Sequence, residues 1–169
     1  MDKSTIEKIL NDALDELYKN DQKLIFNEKI KGNRTHCHSS ERSIVHKYAI
    51  YFEKLIKDKS NNDESNNDCE YRVDIEYNQN IDRLKILTSR PNGAYPDMIL
   101  HKRGTNVHNI LVVEFKTWWN KKKIDKDIEK LKDFCRQTGE YRYKYGVSIV
   151  LEKRRKDAQL NFIYPPAQS

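Results

Sequence analysis

Apolar residues recur along this chain with two different spacings, and the changes between them mark out its elements. From Ser4 to Tyr18, residues Ile6, Ile9, Leu10, Ala13, Leu14 and Leu17 fall three or four positions apart, which predicts a helix with one apolar face. A second stripe of the same kind, Ile44, Val45, Tyr48, Phe52, Leu55 and Ile56, predicts a helix from about Ser40 to Lys57. Ser39 or Ser40 is placed to cap its first turn. Residues 59–68 contain no apolar side chain and read as a solvated loop.

The period then changes to two. Tyr71, Val73, Ile75 and Tyr77 alternate with Arg72, Asp74 and Glu76, the pattern of a half-buried strand. Turn signals at Asn78-Gln79-Asn80 and Pro91-Asn92-Gly93 leave room for a short strand around Leu84 to Leu87. Pro96 to Lys102 and Asn109 to Thr117 are apolar on both faces, as strands are in the middle of a sheet covered on each side. Lys123 to Thr138 predicts a helix that buries Ile124, Ile128, Leu131, Phe134 and Cys135 and stops at Gly139. Tyr145 to Leu151 is a further strand, and Leu160 to Tyr164 a last one before Pro165-Pro166. At 169 residues with no internal repeat, this order describes one α/β domain.

Composition narrows the setting. No apolar run approaches the ~20 residues of a membrane-spanning helix. The first twenty residues carry Asp2, Glu7, Asp12, Asp15 and Glu16, which is not the chemistry of a secretory signal. Cys37, Cys69 and Cys135 are odd in number and far apart, so free thiols in a reducing, cytoplasmic compartment are expected. The net charge of +6 is uneven: residues 101–169 hold 16 Lys and Arg against 8 Asp and Glu, and residues 1–100 hold 16 against 18. A basic half favours a polyanionic partner through phosphate neutralisation.

The candidate chemistry lies in that half and at its border. Pro96-Asp97 is followed seventeen residues later by Glu114-Phe115-Lys116, each string at the edge of a two-sided apolar strand. Glu114 and Lys116 share a face, with Phe115 turned to the other. A hairpin with a four-residue loop at residues 104–107 would pair 103 with 108 and set Asp97 opposite Glu114, with Cβ atoms about 5 Å apart. Carboxylates that close repel unless a cation lies between them, and hard oxygen ligands favour Mg²⁺, with Mn²⁺ as a substitute. The ion would polarise a phosphoryl oxygen and activate water, and Lys116 would act on that water and on the transition-state charge. A solvent-exposed Glu–Lys pair is the plainer reading, but it sits badly in a strand whose neighbours are Leu111, Val112, Val113 and Phe115.

Other groups carry weaker signals. Asp74 and Glu76 read as a solvated strand face, and His46 and His101 as packed or hydrogen-bonded histidines. His36-Cys37-His38 lacks the second ligand pair a zinc site needs. Trp118-Trp119 with Lys121, Lys122 and Lys123 suggests one tryptophan in the core and lysines beside substrate phosphate. Arg142 and Lys144, interleaved with Tyr141, Tyr143 and Tyr145, allow the same argument, and residues 153–156 form a basic loop.

Pro96-Asp97 with Glu114-Phe115-Lys116 in this strand context resembles the PD-(D/E)XK nuclease superfamily. The resemblance implies a restriction endonuclease-like αβββαβ core, a central mixed sheet flanked by helices. It would span residues 40–151, with an extra N-terminal helix in a 1–35 extension and a C-terminal strand and tail over 152–169. It further implies a catalytic and metal-binding set of Asp97 and Glu114, with Lys116 as the catalytic ammonium. Glu41 would be added from the first core helix. DNA as substrate and a role in restriction, repair or defence are implied likewise. Cutting a duplex needs two sites, hence a homodimer or a partner protein. The alternative is a nucleic-acid-binding or scaffold protein that keeps the fold without cutting.

Overall fold

The structure, a computed structural model, describes residues 1–27, 38–61, 71–122 and 124–163. In chain order the elements are α1 (Lys3–Ile25), α2 (Glu41–Asn61), β1 (Arg72–Ile75), β2 (Gln79–Asn80), β3 (Arg83–Leu84), β4 (Met98–His101), β5 (Leu111–Thr117), α3 (Ile124–Cys135), β6 (Tyr145–Leu151) and β7 (Gln159–Ile163).

The result is a mixed α/β fold. A five-stranded sheet of order β1-β4-β5-β6-β7 is parallel only between β5 and β6 and antiparallel elsewhere. Three helices flank it. Met98, Leu100, Leu111, Val113 and Phe115 turn to one face and pack with the apolar stripes of α1 and α2. Ile99 and Val112 turn to the other and meet Leu131, Phe134 and Cys135 of α3. β4, β5 and β6 are buried along nearly their whole length, as strands covered on both sides must be.

Local chemistry sets the helix ends. Asp2 accepts a hydrogen bond from the Thr5 N–H (2.8 Å) and so caps α1, while Ser40 accepts one from the Ser43 N–H (3.2 Å) at the start of α2. The two helices are tied by the buried Tyr48 hydroxyl, which donates to the Leu10 carbonyl (3.0 Å). Where α3 crosses β6 the backbones approach closely. A Cβ on Gly146 would stand 2.7 Å from Cys135 Sγ, so only glycine fits there.

Several expectations are corrected. α1 runs past Tyr18, through a non-helical residue at Asp21 (φ −127°, ψ 21°), because buried Ile25 anchors a further turn. The expected strand near Leu84 to Leu87 is instead the hairpin of β2 and β3, separate from the main sheet and turned at Ile81 (φ 58°). Leu87 joins the core under α3. The link from β4 to β5 is longer than four residues, since Leu100 already faces Leu111. α3 ends at Cys135, before Gly139, and Ile124 and Ile128 are only half-buried whereas Lys130 is buried. Tyr164, Pro165-Pro166, His36, Cys37, Cys69, Lys123 and most of the 59–68 loop lie outside the described residues. Among the described residues no helix is long and apolar enough to cross a membrane.

Candidate active site

The β4–β5 register places the first pair of candidates. Met98 stands opposite Val113, so the next step along the two strands brings Asp97 beside Glu114, at the middle of β5. Despite the longer connection, this is the register expected from the shorter loop. Asp97 is held by its own carboxylate, which accepts a hydrogen bond from the Phe115 N–H (2.7 Å).

Glu114 is buried, 3% exposed, and does not stand alone. The Lys130 ammonium lies 2.8 Å from Oε1 and donates to Oε2 at 2.9 Å, while also donating to the Tyr95 carbonyl (2.5 Å). Oε1 has no hydrogen-bond partner of good direction. Lys116, two residues further on the same face, pairs with Asp127 (2.6 Å). Glu41 arrives from the opposite layer: as the first residue of α2 it accepts a hydrogen bond from the Thr117 hydroxyl (3.1 Å), at the end of β5.

Four carboxylates, Glu41, Asp97, Glu114 and Asp127, therefore feel one another around two ammonium groups. Burial pushes the Glu114 carboxyl up to about 8, and the neighbouring Asp97 charge adds to the rise against the pull of Lys130. Burial also raises Asp97, in spite of its bond from Phe115. Glu41 is raised by burial and by Asp97, with Lys116 offsetting part. For Lys116 burial works downward, but the bond and charge of Asp127 outweigh it and hold the ammonium above its ordinary value. Lys116 is thus kept positive.

Glu41 and Asp97 open onto a cavity of about 400 Å³ between the start of α2 and the end of β1, with Ser40, Arg42 and Glu76 among its walls. Arg42 and Glu76 pair across the rim (2.8 Å). Among the described residues no three His, Cys, Asp or Glu side chains are gathered closely enough to hold an ion as they stand. The donors nevertheless suit Mg²⁺: they are hard carboxylate oxygens that outnumber the two ammonium groups, and Glu114 Oε1, though 2.8 Å from the Lys130 ammonium, makes no well-directed hydrogen bond. Lys130 takes the place beside Glu114 that a cation would share.

The remaining candidates are scattered. Lys121 pairs with Glu152, and Lys122 is exposed. Arg142 and Lys144 precede β6, which runs parallel to β5, so they lie at the far end of the sheet from Lys116, about 20 Å of strand away. Neither tryptophan is fully in the core, contrary to expectation. Both pack on it partly buried, with the Trp118 indole N–H donating to the Ile25 carbonyl (3.1 Å) and His38 stacked on Trp119. Asp74 is not solvated either: it accepts from His101 (2.9 Å) and Arg103 (2.8 Å) in a half-closed cluster under Tyr77.

Sequence reasoning missed Asp127 and Lys130. A signal existed: Asp127, Lys130, Leu131 and Phe134 are spaced i, i+3, i+4, i+7 and so share the buried face of α3.

No family model, curated protein or solved structure matches this chain.

Proposed function

We propose that this chain is a metal-dependent nuclease of the PD-(D/E)XK type, with the restriction endonuclease-like core formed by α2, β1, β4, β5, α3 and β6, and that it hydrolyses phosphodiester bonds in DNA. The observation that carries this reading is the gathering of buried and half-buried carboxylates about the C-terminal half of β5. Asp97 and Glu114 lie side by side, Glu41 reaches in from the other layer, and all three carboxyl groups are raised by burial and shared charge.

Asp97, Glu114 and Glu41 would hold the ion. A bound Mg²⁺ supplies Lewis acidity toward a phosphoryl oxygen and lowers the pKa of water. Lys116 contributes fixed positive charge; kept protonated by Asp127, it stabilises negative charge on the transition-state oxygens rather than removing a proton. Asp97, tethered to the Phe115 N–H, is oriented before any ligand arrives. Lys130 pairs with Glu114 and would give up part of that contact on ion binding. DNA rather than RNA, and a second copy or partner protein for cutting both strands, follow from the resemblance and from the geometry of a duplex.

A second reading, a nucleic-acid-binding protein that keeps the fold without cutting, is favoured by one observation: Lys130 already satisfies Glu114. Incubation of plasmid and single-stranded DNA with Mg²⁺ or Mn²⁺ separates the two. The nuclease reading expects cleavage that stops with chelator and in Asp97→Ala and Lys116→Ala. Binding without cleavage under either metal, or cleavage indifferent to both substitutions, would refute it.

A further inference from the structure

A second cavity, of about 360 Å³, lies at the same end of the sheet, just past Thr117. Phe26 and Trp118 line it, and their rings meet edge to face (5.9 Å). Lys153 and Arg154, both exposed, form the other side with Glu152 and Asp157. The two acids are already matched, Glu152 by Lys121 and Asp157 by Arg154 (2.7 Å). Lys153 has no carboxylate within ion-pair reach among the described residues; its ammonium is held over the rings of Trp118 (4.4 Å) and Phe26 (4.7 Å). An ammonium carried on two aromatic faces is poised for an anion, since a cation–π contact positions the charge without cancelling it.

We infer that Phe26, Trp118 and Lys153 form a subsite for one unpaired nucleotide of a single-stranded DNA segment, its base taking over the ring faces as the Lys153 ammonium moves off them to its phosphate. The volume is that of a small-ligand pocket. Aromatic side chains beside cations are how single strands are held without sequence preference, because every base has a π-face, whereas a base inside a duplex keeps its face covered. Trp118 directly follows the end of β5 and is bonded to α1, so a nucleotide seated here lies beside the end of the strand that carries Lys116. This assignment rests on the nuclease reading for its orientation, not for its existence.

The test is binding of a fluorescent twelve-nucleotide oligo-dT and of a duplex of equal length, in chelator so that no cleavage occurs. The full-length wild-type, Lys153→Glu, Trp118→Phe and Lys8→Glu proteins are compared. Single-strand affinity is expected to exceed duplex affinity and to fall about tenfold in Lys153→Glu. It should weaken less in Trp118→Phe, which keeps a ring to preserve folding, and stay within about twofold in Lys8→Glu, the same charge change near the other end of α1. Tryptophan fluorescence should be quenched on binding. Single-strand binding unaffected by Lys153→Glu, or duplex bound as tightly as the single strand, would overturn the subsite. Should Lys153-dependent binding appear in a protein that never cleaves, the subsite stands and the nuclease reading falls.

Discussion

Replacing Lys130 by Met tests the electrostatics of the site in one step. The substitution keeps most of the volume of a side chain that is 8% exposed and removes the ammonium that touches both oxygens of Glu114. It leaves a carboxylate that is 3% exposed with Asp97 as its neighbour and no cation against it. Breaking a buried pair from one side costs about 3–5 kcal/mol. With a urea dependence of about 2 kcal/mol per molar for a domain of this size, the unfolding midpoint should drop by about 2 M. The loss must depend on pH. Because the folded Glu114 carboxyl is raised, its protonated form favours the native state; that contribution is complete below its ordinary value of 4.5 and is lost as pH rises through about 8. The deficit of Lys130→Met should therefore be small at about pH 5 and large only at about pH 10, well above the folded value of about 8, because nearer to 8 the unpaired carboxyl takes up a proton. Removing the carboxylate too, in Glu114→Leu with Lys130→Met, should recover most of it, since an apolar pair replaces a buried ion pair at little cost. Equilibrium urea unfolding at the two pH values is the assay. A loss under about 1 kcal/mol at the higher pH, or one independent of pH, would refute the claim that Lys130 is the counter-charge of Glu114.

Further outcomes follow from other parts of the fold. Gly146→Ala drives a Cβ to 2.7 Å from Cys135 Sγ and should lower stability by about 1–3 kcal/mol, largely restored by adding Cys135→Ala; thermal unfolding of the single and double variants checks this. Asp74 is held well below the usual carboxylate range because bonds from Arg103 and His101 outweigh its burial. That stability is present above the ordinary carboxylate value and is lost as pH falls through the depressed one, so acid unfolding below about pH 4 should be blunted in Asp74→Asn. Burial pushes the Cys135 thiol up to about 12, and mass mapping after brief thiol alkylation at neutral pH should find it unmodified until the protein is unfolded.

How much of this was legible beforehand differs between the sheet and the helices. Leu111 to Phe115 and Met98 to Leu100 declared themselves as two-sided strands because the core demands apolar residues on both faces. The pairing of Asp97 with Glu114 followed from strand geometry alone, and it holds although the intervening loop is longer than expected: register depends on which strand residues face each other, not on where the turn lies. The helices were harder. Asp127 and Lys130 sit on the buried face of α3, yet polar letters between Ile124 and Leu131 read as solvent-facing until their partners Lys116 and Glu114 are in place. A long-range ion pair has no local periodicity. The tryptophans misled for a related reason: Trp118 and Trp119 pack on the core with their rims open, so apolarity alone could not tell the core from the wall of a cavity.

The central claim is that Asp97, Glu114 and Glu41 take up a divalent cation. Crystals soaked in Mn²⁺ and measured for anomalous scattering test it most directly. The account predicts one strong peak touching Asp97 and Glu114, with Lys130 drawn away from Glu114 and the peak gone in Asp97→Ala. A lattice saturated with Mn²⁺ in which that position stays vacant and Lys130 still grips Glu114 would contradict it.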